Sequence, residues 1–207
     1  MMHSAGRTRW KRFAAFMVPS VVACATLGIV MAQGALAASF FISGQRFKVA
    51  ANSLTARGLS IYGMVDVTRK GELVPVLVTG ARQASVSGLC QSLVLDLPVL
   101  GPYTLRLTGG DRRPAEATNM FLDSTAQFAG NANFSDIDIG IAQGAITKGP
   151  INPGDRDSRF FDPDGFGQQA AGATLTDVRV TAVAISAGTF NVPDLSVQLK
   201  QGHHECF

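Results

Sequence analysis

The 207-residue chain is 46% apolar and only 16% charged, and its 22 glycines keep no fixed period, which excludes a charged disordered tail protein and a collagen. The net charge of +3 does not describe a basic surface, because Arg7, Arg9, Lys11 and Arg12 all precede residue 13 while the 15 acidic residues all follow residue 37. Apart from those four cations the chain is near neutral and offers no basic face to phosphates, so a nucleic-acid partner is excluded.

The first element is an export signal. A basic stretch is followed by residues 13–32 without a charge, and Ala35-Leu36-Ala37 then places small residues where a signal peptidase reads them. The twenty-residue run is also long enough to cross roughly 30 Å of bilayer as a helix, with its basic end held in the cytoplasm. Pro19, Ser20, Thr26 and Gly28 dilute its hydrophobicity and favour cleavage after Ala37 or Ala38 over a permanent anchor. Residues 1–37 are therefore a signal peptide or membrane anchor, and residues 38–207 a single extracytoplasmic domain. Cys24 belongs to the leader. Cys90 and Cys206 remain as an even pair in an oxidising compartment, where a disulfide is the expected state. On the chain-entropy argument, closing a loop of that length stabilises the fold by roughly 4–5 kcal/mol.

Beyond the leader the pattern is all-β. Short alternating or β-branched runs predict strands over 40–49, 59–68, 73–78, 84–95, 103–107, 119–123, 132–141, 173–185 and 189–199. Turns are predicted at Gly71, Gly101-Pro102, Gly109-Gly110, Gly149-Pro150 and Pro193-Asp194. A degenerate unit, Ala-x-apolar-x-Asp-apolar-x-apolar, occurs at Ala132 to Ile139 and again at Ala173 to Val180. It recurs with two extra residues from Thr189 to Val197. Its apolar positions step by three and then by two, so they share one face only if the chain bends or bulges at the Asp. Short strands with such corners at intervals of about 15 residues fit the rungs of a short parallel β-helix-like solenoid, which is preferred here over a β-sandwich.

Two polar clusters invite a chemical reading. Asp155, Asp157, Asp162 and Asp164 lie close together ahead of Gly165 and Gly167, and such a loop can offer calcium several carboxylate and carbonyl oxygens. The EF-hand spacing and its terminal Glu are absent, and Arg156 and Arg159 are interleaved, so a solvated loop with local ion pairs is the preferred reading and no metal or cofactor is expected. Phe160, Phe161 and Phe166 in the same segment are candidates for an apolar binding patch, against the commoner role of anchoring a long loop to the core. His203, His204, Glu205 and Cys206 are adjacent rather than spaced as zinc ligands, so they read as a polar tail.

Several strings give the chain a family resemblance. They are Gly6-Arg7-Thr8-Arg9-Trp10-Lys11-Arg12-Phe13, Ala32-Gln33-Gly34-Ala35-Leu36-Ala37-Ala38-Ser39-Phe40, Cys90-Gln91-Ser92 and Asp136-Ile137-Asp138-Ile139-Gly140, with Asp164-Gly165-Phe166-Gly167-Gln168-Gln169 and the closing Glu205-Cys206-Phe207. With these the chain resembles an uncharacterised family of secreted actinobacterial proteins, a domain of unknown function that automatic naming often calls cholesterol esterase. The resemblance implies a secreted or envelope-associated β protein and brings no catalytic residues with it.

The residues themselves give the esterase name little support. A serine hydrolase of the usual kind needs Gly-x-Ser-x-Gly on a strand-to-helix elbow and a His base. The nearest string, Gly58-Leu59-Ser60-Ile61-Tyr62-Gly63, has its second glycine one place late and lies in a strand pattern. The sequence therefore reads as a secreted or membrane-associated envelope β protein that binds a partner protein, a lipid or a wall polymer without catalysis. The alternative is a lipid-ester hydrolase.

Overall fold

The structure is a computed structural model that describes residues 43–207. The export signal and the membrane-anchor reading of residues 13–32 fall outside them. Among the described residues nine strands form: β1 (Phe47–Val67), β2 (Leu73–Ser87), β3 (Leu89–Leu97), β4 (Gly101–Gly109), β5 (Ala115–Phe128), β6 (Asn131–Ala142), β7 (Phe166–Ser186), β8 (Thr189–Asn191) and β9 (Ser196–Gln201). No helix among the described residues is long and apolar enough to cross a membrane.

Every ladder is antiparallel, which corrects the solenoid expectation. β1 pairs with β2, β2 with β5, β5 with β7, and β7 returns to β1, so the sheet closes on itself as a barrel, with β3, β6 and β8 pairing alongside this circuit. The strands are longer than the sequence pattern suggests because neighbouring elements share one register. Ser53 opposite Ser87 and Lys48 opposite Ser92 belong to the same ladder, so β2 and β3 form one run interrupted at Gly88. In the same way β5 and β6 run continuously along β8 and β7, through Thr118 opposite Thr189, Phe121 opposite Ser186 and Asn131 opposite Thr176. At one end β4 and β9 extend the sheet beyond β3.

Two of the repeated Asp units, at Asp136 and Asp177, make left-handed bends within these long strands, and the third, at Asp194, lies in the turn between β8 and β9. Asp136, Asp177 and Asp194 have φ of 50°, 51° and 56°. The left-handed conformation costs most side chains energy but is tolerated by Asp and Asn, and one such residue shifts the side-chain alternation by one place while the ladder keeps its register. Asn119 (φ 47°), Gly58 (φ 63°) and Gly88 (φ 64°) occupy the same place in the other strands. Around Gly58 the ladder passes from Arg57 opposite Gln83 to Leu59 opposite Ala81. Apolar side chains on either side of the bend therefore keep to the inner face.

That inner face is built in rows. Ala56 stands opposite both Ala84 and Ala173, and Ala84 opposite Ala117, and all four are buried. Directly opposed residues point the same way, so these alanines form one row, flanked by Phe134 opposite Ala173 and Phe190 opposite Ala117. Leu59, Ala81, Met120 and Ala170 form the next row.

The outer face of β1, β2 and β5 is apolar at one end, where Tyr62, Met64, Val76, Val78 and Phe121 stand. The connection from β6 to β7 folds back over it and contributes Ile146, Ile151, Phe160 and Phe161. A Cβ on Gly149 would come within 2.3 Å of the Leu59 carbonyl carbon, so this connection lies directly on the β1 backbone and glycine is required there. At the other end Cys90 and Cys206 are joined, with the sulfurs 2.00 Å apart. The C-terminal tail crosses β3 and β4, where Cys206 N donates to Ser92 Oγ at 2.9 Å and His204 N to Thr104 Oγ1 at 2.9 Å.

Candidate functional site

The barrel encloses a cavity of about 150 Å³. All four strands of the closed circuit line it, through residues such as Leu54, Ala56, Ala81, Met120, Leu122 and Val178. Thr79 and Gln127 are its polar lining residues, and they satisfy each other: Gln127 Nε2 donates to Thr79 Oγ1 at 2.8 Å and to Ser124 Oγ at 2.8 Å. The rest of the lining is apolar, and apolar cavities of this size accept small hydrocarbons. Gln127 and Phe190 are the lining residues most open to solvent, and Phe190 is 48% exposed.

A second cluster lies on the outer face, under the β6–β7 connection. Tyr62 is opposite Val78, and Val78 is opposite Asp123, so the phenol and the carboxyl stand in one row. Asp66 lies further along β1, two strand repeats beyond Tyr62 on the same face. From above comes Asp155, on the short helix α1 (Pro153–Arg156), which is capped by Asn152 accepting from Gly154 N at 3.1 Å. Tyr62 OH donates to Asp155 Oδ2 at 2.8 Å and accepts from Asn152 N at 3.0 Å.

Among the described residues no cation pairs with this cluster. Asp123 is buried with 7% exposure, and its Oδ1, like Asp66 Oδ2, has no hydrogen-bond partner. Burial, then the charges of Asp66 and Asp155, pushes the Asp123 carboxyl up to about 8. Burial, then Asp155, raises Asp66 to about 6. Asp155 is raised by its own burial against the opposing hydrogen bond from Tyr62. The Tyr62 phenol is raised by burial and then by the Asp155 charge, so it stays protonated. The ion pairs of the described residues lie elsewhere, with Lys48 to Glu205 at 3.2 Å and Lys148 to Asp136 and Asp138 at 2.7 and 2.9 Å. Hydrogen bonds from Lys148 and then Gln169 hold the Asp138 carboxyl below the usual range.

The residues singled out by sequence do not converge on one site. Asp155 joins the cluster just described, whereas Asp157, Asp162 and Asp164 are exposed, and Asp162 Oδ1 only closes a local turn by accepting from Asp164 N at 3.1 Å. Among the described residues no three carboxylate, imidazole or thiolate groups stand close enough to hold a metal. Arg159 stacks over the Phe160 ring at 4.7 Å, and no ion pair to the neighbouring aspartates forms among the described residues. Phe160 and Phe161 pack into the core, the latter edge-on to Tyr62 at 6.2 Å. Phe166 is 61% exposed at the start of β7, so the three rings do not form one patch. Ser60 is wholly buried, its hydroxyl donating to Pro150 O, while His204 lies in the tail over Thr104.

Asp66 and Asp123 were not picked out by sequence. Their signal is local: each stands beside apolar residues within a strand, Asp66 between Val65 and Val67, and Asp123 directly after Phe121 and Leu122.

The model of a family of unknown function (DUF6230) matches residues 43–207. The chain belongs to this family. No curated protein and no solved structure matches it. The matched residues are also the ones that build the barrel, the tail disulfide and the carboxylate cluster, so all three features lie within the family domain. The Cys90–Cys206 bond is compatible with a place outside the cytoplasm.

Proposed function

We propose that this protein is an extracytoplasmic, non-catalytic binding protein of the cell envelope, exported by residues 1–37, whose barrel interior takes the apolar tail of a lipid. The observation that carries this reading is the largely apolar cavity of about 150 Å³, lined by all four strands of the closed circuit. Of a partner protein, a wall polymer and a lipid, only the lipid has a use for such a space, since a hydroxyl-rich polymer needs unsatisfied donors and acceptors that the lining does not offer. The small lining residues Ala51, Ala56 and Ala81 also favour it, because larger side chains there would fill the cavity. Lipid-ester hydrolysis gains no residues from this geometry, as Ser60 is buried and held by a backbone carbonyl.

The test uses residues 38–207 with the disulfide intact and a fluorescent polyunsaturated fatty acid as probe. Saturable binding, displaced by a saturated fatty acid and weakened at least about ten-fold in Ala81→Leu, which changes a lining residue, supports the reading. Absence of binding by correctly folded protein overturns it. Turnover of a short-chain ester that disappears in a single Ser→Ala variant also overturns it, in favour of hydrolysis.

A further inference from the structure

The β6–β7 connection is held to the barrel in two different ways. Its first part is fixed by permanent donors and acceptors. Gln169 Oε1 accepts from Thr147 N at 2.7 Å and Lys148 N at 2.8 Å, Arg82 donates to the carbonyls of Thr147 and Lys148, and Ser60 donates to Pro150 O. Its far base is fixed as well, where Gly144 N donates to Pro163 O at 2.8 Å and Gln143 N to Gly165 O at 2.9 Å. The arc between these points, residues 151–161, reaches the barrel through apolar packing and a single polar tie, the Tyr62 hydroxyl bridging Asn152 N and Asp155 Oδ2.

That tie sits over uncompensated charge. The titratable groups facing it are Tyr62 and Asp66 from β1, Asp123 from β5 and Asp155 from the arc itself. β2 and β7 present only apolar side chains to Asp123 at its paired positions, Val78 and Ala184. Among the described residues no lysine, arginine or histidine pairs with any of the four, and no three acidic groups stand close enough to share a metal. The only counter-charge the geometry leaves is the proton. A buried, unpartnered carboxyl such as Asp123 is tolerated while protonated, whereas ionisation places it against Asp66 and Asp155 with nothing to balance it.

We propose that residues 151–161 form a proton-held cap, seated on the barrel while Asp123 carries its proton and released when Asp66, Asp123 and Asp155 are ionised together. Release uncovers Tyr62, Met64, Val76, Val78 and Phe121, a continuous apolar face separate from the interior cavity. The device stands independently of the lipid reading, because no residue of this cluster lines that cavity. The raised carboxyl of Asp123 places the transition on the alkaline side of neutrality.

Hydrogen exchange of peptides covering 151–161, corrected for the intrinsic pH dependence of exchange, tests it on residues 38–207. Protection should fall at least about ten-fold between pH 6 and pH 9 in the wild type, with a matching rise in binding of an apolar dye. Asp123→Asn should keep the cap protected at both pH values. Asp155→Asn, which retains an acceptor for Tyr62, should remove most of the pH step and serves if the first variant folds poorly. Equal protection at pH 6 and pH 9 in the wild type would overturn the proposal, as would an unchanged pH profile in Asp155→Asn. Restoration of wild-type protection at pH 9 by millimolar calcium would also overturn it by making a cation the counter-charge.

Discussion

Replacing Asp123 by Asn should make the folded protein far less sensitive to rising pH. The wild-type carboxyl holds its proton more tightly in the fold than in the unfolded chain, with its pKa raised from 3.8 to about 8, first by burial and then by Asp66 and Asp155. A group shifted in this direction leaves stability whole below the unfolded pKa and removes it progressively as pH climbs toward the folded one. At 1.36 kcal/mol per unit, the loss between pH 5 and pH 9 is about 4 kcal/mol from Asp123 alone. For a domain of this size that corresponds to a fall in Tm of about 10 °C. Asn has nearly the same shape and no charge, so the variant should match the wild type near pH 4 and exceed it by several kcal/mol at pH 9. Urea unfolding at pH 5, 7 and 9, with the disulfide intact, reads this directly. Wild-type stability that increases from pH 5 to pH 9, or an Asp123→Asn variant that tracks the wild type at every pH, would refute the reasoning.

Three further outcomes follow from the left-handed bends and the bridge. Asp177→Gly should be nearly neutral while Asp177→Val costs about 1–2 kcal/mol in thermal unfolding, because only the β-branched side chain resists a φ of 51°. Gly58→Ala should destabilise by about 2 kcal/mol or more in the same assay, since its φ is 63° and a Cβ would meet Arg82 Cδ at 2.7 Å and Lys148 O at 2.9 Å. Cys90→Ala, Cys206→Ala and the double variant should lower stability by a similar amount, roughly 2–5 kcal/mol, because each opens the same loop; additive losses would contradict this.

The β class and the left-handed bends were legible because they are written locally. The three-then-two spacing around Asp136, Asp177 and Asp194 marks the places where the backbone turns left-handed. The same device at Gly58, Gly88 and Asn119 was hidden, since the left-handed residue there is not Asp and the unit no longer looks repeated. For the same reason residues 50–58 and 79–83 were left out of the predicted strands, although β1 and β2 pass through them without a break. Pairing direction is non-local. A bent strand followed by a long antiparallel return and a solenoid rung with a corner produce the same apolar string, and only the ladders, such as Ala56 opposite Ala173, distinguish them. The carboxylate cluster was illegible for a related reason. Asp66, Asp123 and Asp155 belong to separate segments, and nothing in their own neighbourhoods shows that β1, β5 and the arc bring them onto one buried face. Asp155 drew notice only for lying among other aspartates that remain in solvent.

The lipid-binding reading is tested most directly by methyl NMR on the protein labelled at alanine and methionine, titrated with a medium-chain fatty acid. The expected result is saturable shifts at Ala51, Ala56, Ala81 and Met120, which line the cavity, with Met64 on the outer face unmoved. Shifts confined to Met64, or an unchanged spectrum at saturating ligand, would contradict it.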